Sequence, residues 1–304
     1  NAGAAVTTGV NNTIVGGLAG DALTTGANNV AIGYDALSAE DAHGTNVAVG
    51  RSALGSQNAG TNAYNVAMGY NAGYSVSTGI RNVLLGGHAG DGITTGAYNI
   101  AIGYHALGTE DAHGKNIAIG YLALADQDAG ADAYNVAIGY EAGKAVTTGL
   151  KNIIVGGLAG DALTTGEYNI AIGHEALSAE DNYGKNVAVG HMTLANQNAS
   201  TDAFNVAIGY KAGFAVSTGT SNTLIGGVAG DSLTTGSNNV AIGYAALATE
   251  DAHGRNVAVG YKALETQDAG ADAYNTAVGY QAGLSVSTGL YNTIVGGLAG
   301  DAIN

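Results

Sequence analysis

Residues 29–45 read NVAIGYDALSAEDAHGT, from Asn29 to Thr45. Val30 and Ile32 flank Ala31, an apolar alternation with the period of two that marks a β-strand. Gly33 follows, and because glycine reaches φ > 0 without a Cβ penalty, the chain is expected to bend there. Tyr34, Asp35, Ala36 and Leu37 read as a second short strand. The rest is polar turn, ending at Gly44 shortly before a new Asn at position 46. Two short strands plus turns, closing every 17 residues, describe one coil of a parallel β-solenoid whose successive coils hydrogen-bond about 4.8 Å apart.

The frame Asn-x-x-x-Gly that opens this stretch recurs along the whole chain. Its asparagines are Asn12, Asn29, Asn46, Asn65, Asn82, Asn99, Asn116, Asn135, Asn152, Asn169, Asn186, Asn205, Asn222, Asn239, Asn256, Asn275 and Asn292. Their spacing runs 17, 17, 19, 17 and then repeats, so four coils make a 70-residue super-repeat. A fixed period of this size signals a solenoid in which each coil touches only its neighbours. The expected fold is therefore all-β, a parallel β-solenoid of about 17 coils. We expect a single elongated domain over residues 1–304, built of four super-repeats with partial coils at both ends. Residues 1–12 align with 71–82 at an offset of 70, so the chain reads as a segment of a longer fibre.

Composition narrows the class. Glycine is 51 of 304 residues and proline is absent, without the Gly-X-Y period of collagen. The apolar residues are mostly Ala, Val, Ile and Leu, with no Trp and two Phe, which suits a thin core. Net charge is −15 with nine Lys plus Arg, a balance that repels phosphate backbones and argues against nucleic acid as a partner. No apolar run approaches the roughly 20 residues of a membrane span, and no signal peptide is evident. Cysteine is absent, so stability must come from backbone ladders and stacking.

Each repeated position has a physical reason. The stacked asparagines, Asn12, Asn29, Asn46, Asn65, Asn82, Asn99, Asn116 and Asn135 onward, are expected to form an amide ladder, and Asn also tolerates a left-handed turn. The glycines four residues on, such as Gly33, Gly50, Gly69 and Gly103, are expected where a Cβ would block the backbone. Mid-strand stands Ala in twelve of the seventeen coils and Ile or Leu in five. The row of Ala31, Ala48, Ala67, Ala101, Ala118 and Ala137 is expected to face outward as a close-approach interface between copies, which favours a closed homo-oligomer.

Several recurrent motifs bear on chemistry. In the 19-residue coil Asp126, Asp128 and Asp132 alternate as oxygen donors do in calcium loops, and calcium is the one cofactor expected there. The equivalent positions elsewhere are Ser56/Asn58/Asn62, Asn196/Asn198/Asp202 and Thr266/Asp268/Asp272, which fits an Asx-type turn better than a retained ion site. Glu40/Asp41/His43, Glu110/Asp111/His113 and Glu250/Asp251/His253 place three metal-ligand types on one turn; the remaining copy, Glu180/Asp181/Tyr183, lacks the His. The Gly-Gly-x-Ala-Gly-Asp segments, first at 16–21, resemble phosphate loops but no helix follows to bind an anion. Aromatic residues sit just before the repeat Asn (Tyr64, Tyr98, Tyr134, Tyr168, Phe204, Tyr274, Tyr291) and just after the repeat Gly (Tyr34, Tyr70, Tyr104, Tyr121, Tyr140). They read as stacked ladders, with sugar rings as an alternative stacking partner.

The strand motif itself carries a resemblance. Asn-Val-Ala-Ile-Gly at 135–139, 205–209 and 239–243, with its variants at 65–69 and 169–173, resembles the strand motif of YadA-like heads of trimeric autotransporter adhesins. NVAIGYNAG-type stretches, as at 65–73 and 275–283, are similar to repeats in trimeric tail fibres of bacteriophages. The resemblance covers essentially the whole chain, though these coils are longer than those of the adhesin heads. It implies a left-handed β-roll, a homotrimeric fibre, an extracellular place on a cell surface or virion, and a host-surface receptor or glycan as partner. A non-enzymatic structural and adhesive fibre is thus the expected function. The carboxylates recur with the period, and no coil carries an insertion beyond two residues with which to build a cleft. The alternative is an ice- or mineral-binding solenoid, for which Thr24/Thr25, Thr78, Thr94/Thr95 and Thr148 supply interrupted hydroxyl ranks.

Overall fold

A computed structural model describes residues 1–301. These form an all-β parallel β-solenoid of about seventeen coils, with no helix among the described residues. The chain falls into two compact units, Asn1–Lys151 and Asn152–Asn304. The first holds eight strands, from β1 (Thr13–Val15) to β8 (Val136–Ile138), and the second nine, from β9 (Ile153–Val155) to β17 (Thr293–Val295). Every strand is three residues long and starts one residue after a repeat Asn. Within each unit consecutive strands pair parallel and in register, so that Val30, Ala31 and Ile32 lie over Thr13, Ile14 and Val15 and under Val47, Ala48 and Val49.

The expected second strand is absent. Tyr34–Leu37 and its counterparts are turns, because two of the four residues take left-handed backbone angles: Asp35 has φ 60° and Leu37 φ 49°. A branched side chain at such an angle costs on the order of 1 kcal/mol. The turn is held by hydrogen bonds along the stacking direction. The Asp35 N–H donates to Gly17 in the coil before (3.0 Å), and the Leu37 N–H to Ala53 in the coil after (3.0 Å). The backbone thus stays laddered where no strand exists. Left-handed residues also precede every repeat Asn, including Tyr64, Lys115 and Phe204. The left-handed position is thus the residue before the repeat Asn and not the Asn itself.

The mid-strand row points inward, opposite to expectation. Ala31, Ala48, Ala67, Ala101, Ala118 and Ala137 are each 0% exposed within the single chain. They are the core and not a surface open to a second copy. In the coils that carry Leu37, Leu54, Leu107 and Leu124 a small side chain is what fits there, and coils with Gly90, Gly160 and Gly230 in place of that Leu bury Leu84, Ile154 and Leu224 instead. The flanking Val and Ile residues point outward instead, and Met68, Ile138, Ile172, Ile208 and Ile242 are exposed.

The four-coil cycle is a packing rule. Eight residues after the repeat Asn stands either Gly (Gly20, Gly73, Gly90) or Leu (Leu37, Leu54, Leu107). Three residues further on, the Gly coils carry an apolar core side chain (Leu23, Val76, Ile93) and the Leu coils a buried polar one (Glu40, Gln57, Glu110). A Cβ on Gly73 would sit 2.5 Å from Leu84 and 3.1 Å from Leu54, side chains from the coils on either side. Bulk removed at one position is filled from the neighbouring coils, so the coil types must alternate in a set order.

Candidate functional site

The repeat asparagines do two jobs with one amide. The Asn29 N–H donates to Asn12 Oδ1 (2.9 Å), the Asn46 N–H to Asn29 Oδ1 (3.0 Å), and the Asn99 N–H to Asn82 Oδ1 (2.9 Å). The ladder therefore runs from side chain to backbone and not from amide to amide. In the 17-residue coils the Nδ2 group crosses to the end of its own coil and closes it, as Asn82 does on the Gly96 carbonyl (2.9 Å). In the 19-residue coils a buried glutamine assists. Gln57 and Gln127 accept from Asn65 and Asn135 of the next coil (2.6 Å each) and donate to the carbonyls of Ser77 (3.0 Å) and Thr147 (2.7 Å). These glutamines escaped the sequence reading. The signal was there, since Gln57, Gln127, Gln197 and Gln267 keep one place while the residues beside them vary.

The proposed calcium ligands do not come together. Asp126 and Asp128 are exposed, and Asp132 is engaged by the Lys115 ammonium and the Gly114 N–H. Among the described residues they form no metal-sized cluster. Lys115 holds the Asp132 carboxyl below its ordinary range, so this aspartate is an ion-pair partner first.

The Glu-Asp-x-His turns do converge. In Glu40/Asp41/His43, Glu110/Asp111/His113 and Glu250/Asp251/His253, one ligand atom from each residue lies within 4.8 Å of the others. The glutamates are fully buried at the core position that glutamine takes one coil later. One oxygen accepts the turn's own N–H, His43 to Glu40 at 3.1 Å, and the second oxygen has no partner. The His Nδ1 atoms of all three turns make no hydrogen bond, and His253 Nδ1 lies 3.8 Å from Glu250 Oε1. The turn is pinned from the preceding coil, where the Thr24 N–H donates to the Asp41 carbonyl (2.7 Å) and Thr24 Oγ1 to the same oxygen (3.1 Å). Thr94 Oγ1 does likewise on Asp111 (2.8 Å), so these threonine hydroxyls are spent on the next coil.

The fourth turn, Glu180/Asp181/Tyr183, differs in its chemistry. Here the second carboxylate oxygen accepts from Asn186 Nδ2 at 3.5 Å. In the three His-bearing turns the corresponding Asn46, Asn116 and Asn256 Nδ2 groups find no partner. Burial, only partly offset by the Tyr183 N–H, pushes the Glu180 carboxyl up to about 7. A carboxyl raised in the folded state favours folding in full below its unfolded value of 4.5, and that contribution is lost as pH rises through about 7. The span corresponds to about 3 kcal/mol. Stability measured by denaturant at pH 5 and pH 8 should therefore fall more in the native chain than in Glu180→Gln; parallel pH dependences would refute the burial effect.

Two aromatic columns run along the coils. After the repeat Gly, Tyr104, Tyr121 and Tyr140 stack at centroid distances of 5.8 and 5.3 Å, and Tyr244, Tyr261 and Tyr280 at 5.6 and 5.3 Å. Arg51 sits between Tyr34 and Tyr70 at 5.9 and 5.7 Å from their rings. Gly17, Gly87 and Gly227 interrupt the column every fourth coil. Before the repeat Asn, aromatic and cationic residues alternate from Tyr64 to Phe204, with Arg81 bonded to Tyr98, and further on Arg255 is bonded to Asp272 and Tyr274. All these tyrosines are exposed.

No helix of the described residues is long and apolar enough to cross a membrane. The chain matches no protein-family model, no curated protein and no solved structure.

Proposed function

We propose that this chain is a non-enzymatic structural and adhesive shaft, an extracellular fibre segment that assembles as a homotrimer and presents its edges to a host surface. The observation that carries the reading is the outward row of Val, Ile and Met beside a fully buried Ala row. Half-buried and exposed apolar side chains recur on the outward side of the strands, and a closed assembly of like copies would cover them. The copy number of three, the left-handed roll and the place on a bacterial surface or phage tail fibre rest on the resemblance of the Asn-Val-Ala-Ile-Gly frame to those fibres. The exposed tyrosine columns offer flat rings to a receptor or glycan, since a ring face stacks on a pyranose as it does on another ring.

Light scattering on the purified chain should give three times the 29.8 kDa chain mass. Ile208→Glu, on the outward row, should bring the mass down to one chain with the β circular-dichroism signal kept. Ala207→Glu, on the inward row, should abolish the fold instead, because it buries an unpaired charge. A single-chain mass for the native protein would sink the assembly.

A further inference from the structure

We propose that each of the three Glu-Asp-x-His turns binds one divalent transition-metal ion of the Zn²⁺ class, with the imidazole Nδ1 of His43, His113 or His253 and carboxylate oxygens of the adjoining Glu and Asp as ligands. The three donors of each turn already lie within 4.8 Å of one another. In each, a buried Glu oxygen and a His nitrogen lack a hydrogen-bond partner, with the Ala59 and Ala129 N–H groups acting on Glu40 and Glu110 and His253 Nδ1 lying 3.8 Å from Glu250 Oε1, and a cation would take up both atoms. Unsatisfied polar atoms on a fully buried side chain are rare and point to an absent partner. Imidazole together with carboxylate selects a borderline ion of the Zn²⁺, Co²⁺ or Ni²⁺ kind over Ca²⁺, which takes oxygen donors throughout.

The chain supplies its own comparison. One coil after each Glu, at the same core position, stands a Gln that pairs fully with the ladder. A neutral amide therefore fits that place, and a carboxylate serves packing no better. Among the four Glu turns, the one with Tyr183 in place of His is the one whose Glu reaches its ladder Asn. Where a His is present, Glu and Asn stay apart. The turn is also rigid before any ion arrives. A Cβ on Gly44 would lie 1.7 Å from the Ala27 carbonyl oxygen, and the Asp41 carbonyl is fixed by Thr24. The three turns are not equal. Asp128 and Asp268 of the following coil act electrostatically on Glu110 and Glu250, where the first turn has Asn58 in that place. The second and third sites thus gain a nearby negative charge and should bind more tightly than the first.

Titrating the EDTA-treated, dialysed full chain with ZnCl₂ by calorimetry should give three ions per chain, two bound more tightly than the third. Co²⁺ in their place should give visible d–d absorption of a nitrogen-and-oxygen site. The triple variant His43→Tyr, His113→Tyr, His253→Tyr copies the natural Tyr183 turn. It should keep the metal-free melting temperature and lose at least tenfold in Zn²⁺ affinity. Absence of saturable Zn²⁺ binding overturns the proposal. So does a stoichiometry and affinity unchanged in the triple variant, which would locate the ions elsewhere. Displacement of Zn²⁺ by equimolar Ca²⁺ overturns the assignment of ion class. Glu40→Gln in the native background should weaken one site of three with the fold intact; three undisturbed sites would remove the buried carboxylate from the ligand set.

Discussion

Gly103→Val is expected to break the stack of coils in the Asn1–Lys151 unit, at a cost of about 4 kcal/mol or more. Gly103 has φ +131°, and a Cβ built there would lie 2.3 Å from the Gly120 carbonyl oxygen and 2.6 Å from its carbon. The obstacle is backbone of the next coil and has no rotamer with which to yield. The same geometry recurs at Gly33 against Gly50 and at Gly50 against Gly69. The strained angle alone costs a branched residue about 1–3 kcal/mol, and the overlap comes on top. Gly130 supplies the contrast, since nothing lies within 4 Å of its Cβ position. Gly130→Ala should change stability by no more than about 0.5 kcal/mol. Urea denaturation of the two variants tests the pair, and a Gly103→Val protein with the native midpoint would show that the glycine column is dispensable.

Asn82→Ala should cost about 3–5 kcal/mol, while Asn46→Ala should cost about 1–3 kcal/mol. Removing the Asn82 amide strands two buried groups, the Asn99 N–H and the Gly96 carbonyl. Removing the Asn46 amide strands one, the Asn65 N–H, because Asn46 Nδ2 makes no bond in the native fold. The two residues are identical in type, burial and strand position, so the difference isolates the coil-closing bond from the coil-to-coil bond. Equal losses in chemical denaturation would mean that closing the coil through Nδ2 contributes nothing.

The sequence carried the coil but not its orientation. Asn-x-x-x-Gly at 17 and 19 residues defined the number of coils, the strand start and the position of the backbone contact, because each is a covalent spacing. Alternation in Val30-Ala31-Ile32 says that two faces exist without saying which is inside. The inside is decided by volume, since one coil has room for Ala31 beside Leu37 and not for a β-branched pair. The false strand at Tyr34–Leu37 has a similar origin. Left-handed angles at Asp35 and Leu37 come from the hydrogen bonds of the neighbouring coils, which no local propensity reports. Of the candidate sites, the Glu-Asp-x-His turn was legible because its ligands are adjacent in sequence. The Asp126/Asp128/Asp132 grouping failed because Lys115, 17 residues before Asp132 and one coil away, claims that carboxylate.

Strand pairing, ladder amides, coil-closing amides and ring stacks join residues 14 to 20 apart, and the glutamine and Glu-turn bonds span one coil or less. Such a chain has no long loop to close before it gains contacts, so structure can grow from one end by adding coils to a finished edge. At a synthesis rate of about 5–20 residues per second, a new coil emerges every one to three seconds or so. Each can anneal onto the last while the remainder is still being made. A lesion such as Gly103→Val then acts as a roadblock to growth, leaving earlier coils formed and later ones waiting for a template.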